Sequence, residues 1–197
     1  MSPEGDELSV GPVTRADFTA LTALFARCEV SCHCRYWHFT GDKNGWLERC
    51  AFSPGDNARE LGEALALDDE LKGVVARSGP LVLGWMKLSP AQRVEKLYAQ
   101  RLYKNLPCFA GDRERVYTIG CFLVDPSARG RGLSHRLVAA GVELARKAGA
   151  SAVEAFPRRA EMLADEERWT GPFSTFERAG FAIVHEFAPY PVLRLLL

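Results

Sequence analysis

Phe122-Leu-Val-Asp-Pro-Ser-Ala-Arg-Gly-Arg-Gly-Leu-Ser-His135 is the stretch on which the fold of this chain turns. The apolar run leading into it, Val116 to Val124, reads as a buried strand, and Asp125-Pro126 ends that strand with a turn. A basic, glycine-rich loop follows, Arg129-Gly-Arg-Gly132, and an amphipathic helix begins near Ser134. A helix start exposes unpaired backbone N–H groups and carries the positive end of the helix dipole. The two glycines let an oxyanion approach the main chain closely, and Arg129 and Arg131 add formal charge. Strand, loop and helix start together predict an anion site whose ligand carries phosphate.

Working outward, the helix shows apolar residues at Leu133, Leu137, Val138, Gly141, Leu144, Ala145 and Ala148 and closes at Gly149. A short strand, Ala152 to Phe156, stops at Pro157. Thr170 to Phe181 holds a short last helix ending in Gly180-Phe181, and strands are expected at Ala182 to Phe187 and Val192 to Leu196. On the other side, Leu8 to Val13 reads as a first strand, and Thr14-x-x-Asp17 resembles a capping box with Asp for Glu. Helix one carries Phe18, Leu21, Leu24 and Phe25 on one face. Two helical stretches follow, near Asn44 to Phe52 and Asn57 to Leu67, then strands Gly73 to Arg77 and Leu81 to Leu88 about a Ser78-Gly-Pro80 turn. Residues 91 to 114 form a partly helical insertion, either a lid or a surface helix packed on the sheet.

The loop lacks the Gly-Lys-Ser/Thr ending of a P-loop and the third glycine of a dinucleotide fingerprint. Arg129-x-x-Gly132-x-Ser134 resembles the acetyl-coenzyme A loop of the GNAT N-acetyltransferases, Arg/Gln-x-x-Gly-x-Gly/Ala, with Ser134 departing at the last position. Leu83-Gly84-Trp85 and the terminal Gly180-Phe181 are similar to that family as well. The resemblance runs from Val116 to the C-terminus. It implies an α/β (α+β) fold, a mixed and largely antiparallel sheet of about seven strands flanked by helices, splayed between strands 4 and 5. The whole chain, 1–197, then forms one domain, with residues 1 to 7 a loose tail and 91–114 inserted between strands 3 and 4.

The same resemblance implies a direct transfer of acetyl from acetyl-CoA, a cosubstrate, to a primary amine. Cofactor contacts are expected at Phe122, Leu123, Val124, Arg129, Gly130, Arg131, Gly132, Leu133, Ser134, Phe173 and Phe176. The acceptor side is expected at Cys32, Cys34, Tyr36, Trp37 and His38, in the loop after helix one. Phe176 stands where many relatives carry a leaving-group Tyr, so the usual acid is absent; Tyr36 or Tyr117 are the substitutes. Glu154, which interrupts an apolar strand, is the candidate base, and Cys121 is a candidate for contact with the acetyl group or for a covalent route.

Composition agrees with a globular protein. Lys plus Arg and Asp plus Glu are 25 each, so the net charge is zero, which argues against nucleic acid as the main partner. No apolar run is long enough to span a membrane, and the acidic N-terminus is not read as a signal peptide, so a cytoplasmic location is expected. The acceptor is then a small amine or a peptide amine, and the chain a monomer or homodimer. Cys28, Cys32, Cys34, Cys50, Cys108 and Cys121 lack paired C-x-x-C knuckles, so no metal is expected. Packing and pocket lining both remain open for them. Two rival readings stand beside the enzyme: a silent acyl-CoA sensor of the same fold, and a metal protein built on the Cys-rich loop.

Overall fold

The computed structural model describes residues 8–67, 70 and 72–197; the N-terminal residues 1 to 7, expected as a loose tail, lie outside the described residues. Seven strands form one sheet in the order β1-β2-β3-β4-β5-β7-β6. They are β1 (Ser9–Pro12), β2 (Gly73–Ser78), β3 (Leu81–Pro90), β4 (Val116–Val124), β5 (Ala152–Ala155), β6 (Ala182–His185) and β7 (Val192–Leu196). Every neighbouring pair is antiparallel except β4 and β5, which run parallel. The expected mixed, largely antiparallel architecture is therefore the one observed. Strand β3 runs two residues further than its sequence pattern suggests, and β6 stops two residues earlier.

Helices cover both faces. The helices are α1 (Phe18–Arg27), α2 (Lys43–Phe52), α3 (Pro54–Ala66), α4 (Glu95–Tyr98), α5 (Leu133–Lys147) and α6 (Phe173–Arg178). The buried stripe of α5, Leu133, Leu137, Val138, Gly141 and Ala145, meets Val74, Met86 and Leu88 from alternate positions of β2 and β3. Gly141 makes room for Met86 there: a Cβ would lie 2.3 Å from the Met86 methyl, which would have to swing aside. On the opposite face Leu21, Leu24 and Phe25 of α1 and Leu61 and Leu65 of α3 pack on Val75, Trp85 and Cys121. Strands buried on both faces need apolar residues at every position, which is why β4 reads as a continuous run. The Thr14 capping box forms, with the Thr14 N–H donating to Asp17 at 2.7 Å, and Asp17 also takes a two-pronged ion pair from Arg77.

The segment between β3 and β4 folds as 3₁₀ turns around α4. Its Val94, Leu97 and Tyr103 join Trp37, Phe156 and Val192 in a separate aromatic cluster beside the C-terminal end of β5. Phe176 of α6 is fully enclosed, with Phe122 and Phe181 edge-on at 5.8 and 5.4 Å. Phe176→Ala is expected to lower stability by about 3–5 kcal/mol, read as a shift in the urea midpoint at unchanged slope.

Candidate active site

Strands β4 and β5 share three rungs, Val116 with Ala152, Tyr117 with Val153 and Thr118 with Glu154. Beyond Thr118 strand β4 continues to Val124 with β3 on one side and no strand on the other. Main-chain groups alternate along a strand. The Phe122 N–H points into this gap, where the Trp169 carbonyl accepts it at 2.6 Å, and the Val124 carbonyl accepts from Arg129 and the Cys28 thiol.

The gap opens into a cleft of about 860 Å³. Its floor is Cys121 to Val124, one end is the loop Arg129, Gly130, Gly132, Leu133 and Ser134, and one wall is Pro172, Ser174, Thr175 and Arg178 around α6. The loop end is built for an anion. Gly130 and Gly132 hold φ of +72° and +73°, the left-handed region that side chains disfavour. The amides of residues 130 to 134 find no acceptor among the described residues and sit at the N-terminus of α5. Arg129, Arg168, Arg178 and His135 surround them, and Arg178 contacts His135 at 2.9 Å. The loop is pinned from beneath. Asp125 accepts from the Ser127 N–H and hydroxyl and from Arg27 at 2.6 Å, and Arg27 also donates to the Val82 carbonyl. Burial raises the Asp125 pKa, but these donors outweigh it and hold the carboxyl below its ordinary range.

The opposite end of the cleft is sulfur. Cys32, Cys34 and Cys121 line it, while Cys28 lies nearer the loop, its thiol donating to the Val124 carbonyl beside Arg129. Cys32 and Cys34 are hydrogen-bonded to each other, Cys34 also to Cys121, and the Trp85 indole N–H donates to Cys34 at 3.2 Å. The bond with Cys34, then burial, raises the Cys32 pKa; burial, then Cys121, raises that of Cys34, so both stay neutral thiols. Among the described residues, no group of three or more His, Cys, Asp and Glu is arranged to hold a metal ion.

A second cavity, about 480 Å³, lies across Trp169. Trp169 lines both cavities and stacks on Trp37, with ring centroids 6.2 Å apart. Residues 35–164 match the Acetyltransferase (GNAT) family. The chain belongs to that family. Among solved structures, the GNAT chain is similar to a GCN5-related N-acetyltransferase from Kribbella flavida, at 19% identity over 96% of this chain and 98% of that one, with a TM-score of 0.56. It is similar also to yncA, a putative acetyltransferase from Salmonella typhimurium with its cofactor acetyl-CoA (16% identity, 96% and 94% covered, TM-score 0.53). A third is the paia N-acetyltransferase from Thermoplasma acidophilum in complex with coenzyme A (9%, 97% and 99%, 0.56). No curated protein sequence matches the chain.

Within this GNAT chain the candidates separate. Phe122, Leu123, Val124, Arg129, Gly130, Gly132, Leu133 and Ser134 are brought together on the first cavity; Arg131 is exposed on the same loop and does not line it. Phe173 and Phe176 line neither cavity: Phe173 lies beneath the Arg159 guanidinium at 4.8 Å and Phe176 is core. Their neighbours Ser174, Thr175 and Arg178 face the cleft instead, because a helix turns each successive side chain by about 100°. Cys32, Cys34 and Cys121 face the first cavity, and Trp37 the second. Tyr36 lines neither; its ring packs on Trp37 and Trp46 with the Lys96 ammonium 4.5 Å away. His38 is enclosed, and burial followed by the charges of Lys87, Arg35 and Lys72 pulls its pKa down to about 2, leaving it neutral and a poor base. Tyr117 is half-buried on β4 and lines neither cavity.

Glu154 requires a correction. It is 0% exposed and lines neither cavity. Arg113 grips both oxygens at 2.8 Å, Arg194 donates at 2.5 and 3.0 Å, and the Tyr98 hydroxyl donates at 2.7 Å. A base needs a lone pair open to substrate, and this carboxylate has none to spare. Its polarity in an apolar strand reflects a buried ion pair. Sequence reading missed Trp169, Arg178 and the Glu154 partners, because no local pattern marks residues that meet only across the fold. Glu154→Gln should lower stability by about 3–5 kcal/mol, since it leaves two arginines facing a neutral group. Thermal melting with and without coenzyme A checks this; a catalytic base would lose rate at unchanged melting temperature.

Proposed function

We propose that this chain transfers an acetyl group from acetyl-CoA to a primary amine by direct attack. The observation that carries the reading is the run of unengaged amides at residues 130 to 134, opening onto the free edge of β4. Phosphates of the cofactor suit that cationic end, where Arg129, Arg168 and Arg178 supply formal charge. The amides of a pantetheine arm suit the main chain of Phe122 and Val124 on the strand-free edge of β4, as an added strand would. Phe122 first gives up its bond to Trp169. The thioester then lies near Gly120 and Cys121, with Cys32 and Cys34 as neutral walls.

The chemistry follows from that placement. The amine nitrogen attacks the carbonyl carbon, and the carbonyl oxygen takes up negative charge that the gap-facing N–H of Phe122 stabilises. The carbon–sulfur bond breaks, and coenzyme A leaves as a thiolate, a fair leaving group at a thiol pKa of about 8.5. The ammonium proton passes to water. No phenol lines the first cavity among the described residues, and its lining includes no carboxylate. The amine therefore reacts in its neutral form. Lys87, Arg35 and Lys72 cluster behind the thiols, and Lys87 is itself drawn down to about 8 by burial and then by Arg35. An entering ammonium meets burial and positive charge, and both favour losing its proton.

The absence of a carboxylate in the cleft also favours one alternative, a GNAT-fold module that binds acyl-CoA without turnover. Release of coenzyme A on incubation with acetyl-CoA and a broad amine panel, followed by chromatography, separates the two. Gly132→Val tests the loop. A Cβ there meets nothing within 4 Å, so the penalty is the +73° φ and the lost approach of the ligand. Calorimetry should show coenzyme A affinity falling at least tenfold, and unchanged affinity would remove the loop from the site.

A further inference from the structure

The second cavity is rich in rings among leucines and a few polar groups. Trp37, Tyr103, Phe156, Trp169 and Tyr190 surround it, drawn from the loop after α1, the insertion, the end of β5, the segment before α6 and the β6–β7 turn. The one carboxylate among its lining residues is Glu167, which is ion-paired with Arg158 of the same lining. The Arg158 Nε is buried and has no hydrogen-bond partner. That Nε is closed off by its burial, but Arg158 itself lines the cavity, and its guanidinium offers a charge-assisted bond to an oxygen brought by a ligand. Trp169 lines both this space and the cleft at the gap of β4, and its carbonyl holds the Phe122 N–H.

We propose that the second cavity is the acceptor site, and that it takes a small primary amine on an aromatic body with a carbonyl or carboxylate oxygen for Arg158. An aromatic α-amino acid and its amide both answer this description. The assignment rests on the transferase reading for its reaction, but not for its binding. Flat rings bury well against five aromatic walls, and an amine beside them gains from the ring faces as it approaches. A polyamine gains little, because no free carboxylate among the lining residues waits for its further charges. The volume, about 480 Å³, is in the range that holds a small organic molecule. The amine end is directed at Trp169, which yields the Phe122 N–H as the cofactor arrives, so amine and thioester then share one space.

The test has a binding arm and a turnover arm. Tryptophan emission from Trp37 and Trp169 is followed during titration with phenylalaninamide, phenylalanine, 2-phenylethylamine, glycinamide and spermidine. Coenzyme A release from acetyl-CoA is then measured with the same panel. Phenylalaninamide is expected to quench emission and to show kcat/KM at least tenfold above glycinamide and spermidine. Phenylalanine in place of its amide distinguishes a carboxylate from a carbonyl. Arg158→Gln should erase the advantage of phenylalaninamide over 2-phenylethylamine. Tyr190→Ala, at a side chain 37% exposed, should raise KM for phenylalaninamide about tenfold with coenzyme A affinity unchanged. Equal turnover of glycinamide or spermidine overturns the assignment and leaves the transferase standing. Aromatic binding that Tyr190→Ala weakens, with no coenzyme A released by any amine, keeps the assignment and overturns the transferase. Absence of aromatic binding overturns the assignment whatever the turnover.

Discussion

Glu154 is sealed from water, and a sealed carboxylate persists as a charge only when cations and donors meet it at close range. Its partners come from three places: Arg113 and Tyr98 from the segment between β3 and β4, Arg194 from β7, and Thr118 of β4 through the same Tyr98 hydroxyl. Thr118 and Glu154 form the last shared rung of β4 and β5. The polar knot therefore sits where the sheet divides, and it ties both strands and the insertion to one point. Burial, then the Glu154 charge, pushes the Tyr98 pKa upward, so its hydroxyl stays a donor. Past this point β5 turns away at Pro157, and the edge of β4 is left open. The cleft exists because the pairing ends, and its position is fixed by what holds the final rung.

The two sides of Trp169 then face different tasks. On the loop side, main-chain amides, a helix N-terminus and arginines are exposed together, an arrangement that only an anion satisfies. Loop shape is enforced from below by Asp125 and Arg27, which connect the end of β4 to the end of α1. On the other side, aromatic rings close a cavity whose charged lining residues, Arg158 and Glu167, already pair with each other. The proposed phosphate and apolar ligands would thus occupy separate chambers, with the bond from the Phe122 N–H to the Trp169 carbonyl beside both.

Most of the fold was legible because its signals are local. Periodicity placed β4, α5 and the two final strands, and the glycines at 130 and 132 marked backbone that only they adopt readily. The anion end of the site was legible for the same reason: strand, loop and helix start are contiguous. Helix phase was not resolved well enough within six residues to choose Ser174, Thr175 and Arg178 over Phe173 and Phe176. Glu154 illustrates a deeper limit. An acid in an apolar strand announces that something nearby is charged, but Arg113 and Arg194 lie 41 and 40 residues away in sequence, so a base and a buried ion pair look alike. The second cavity draws its walls from five separated segments, and no window of sequence contains it.

The cysteines show how burial decides between chemistries that sequence leaves open. Three thiols meet around Trp85 in a wall of the cleft, close enough to share hydrogen bonds. A nucleophilic or metal-binding sulfur needs its thiolate, which nearby cations and helix starts promote and burial opposes. Lys87 lies near this cluster, but Cys34 is fully enclosed, and burial leads the causes that raise its pKa. Cys32 and Cys34 are therefore soft and neutral at ordinary pH. Such a wall admits an acetyl group without attacking it, and it adds nothing that would stabilise a protonated amine. With Lys87 behind it, the same wall makes the charged amine the disfavoured species and the neutral nucleophile the favoured one, so the proposed transfer depends on the surroundings of the amine rather than on a side-chain base.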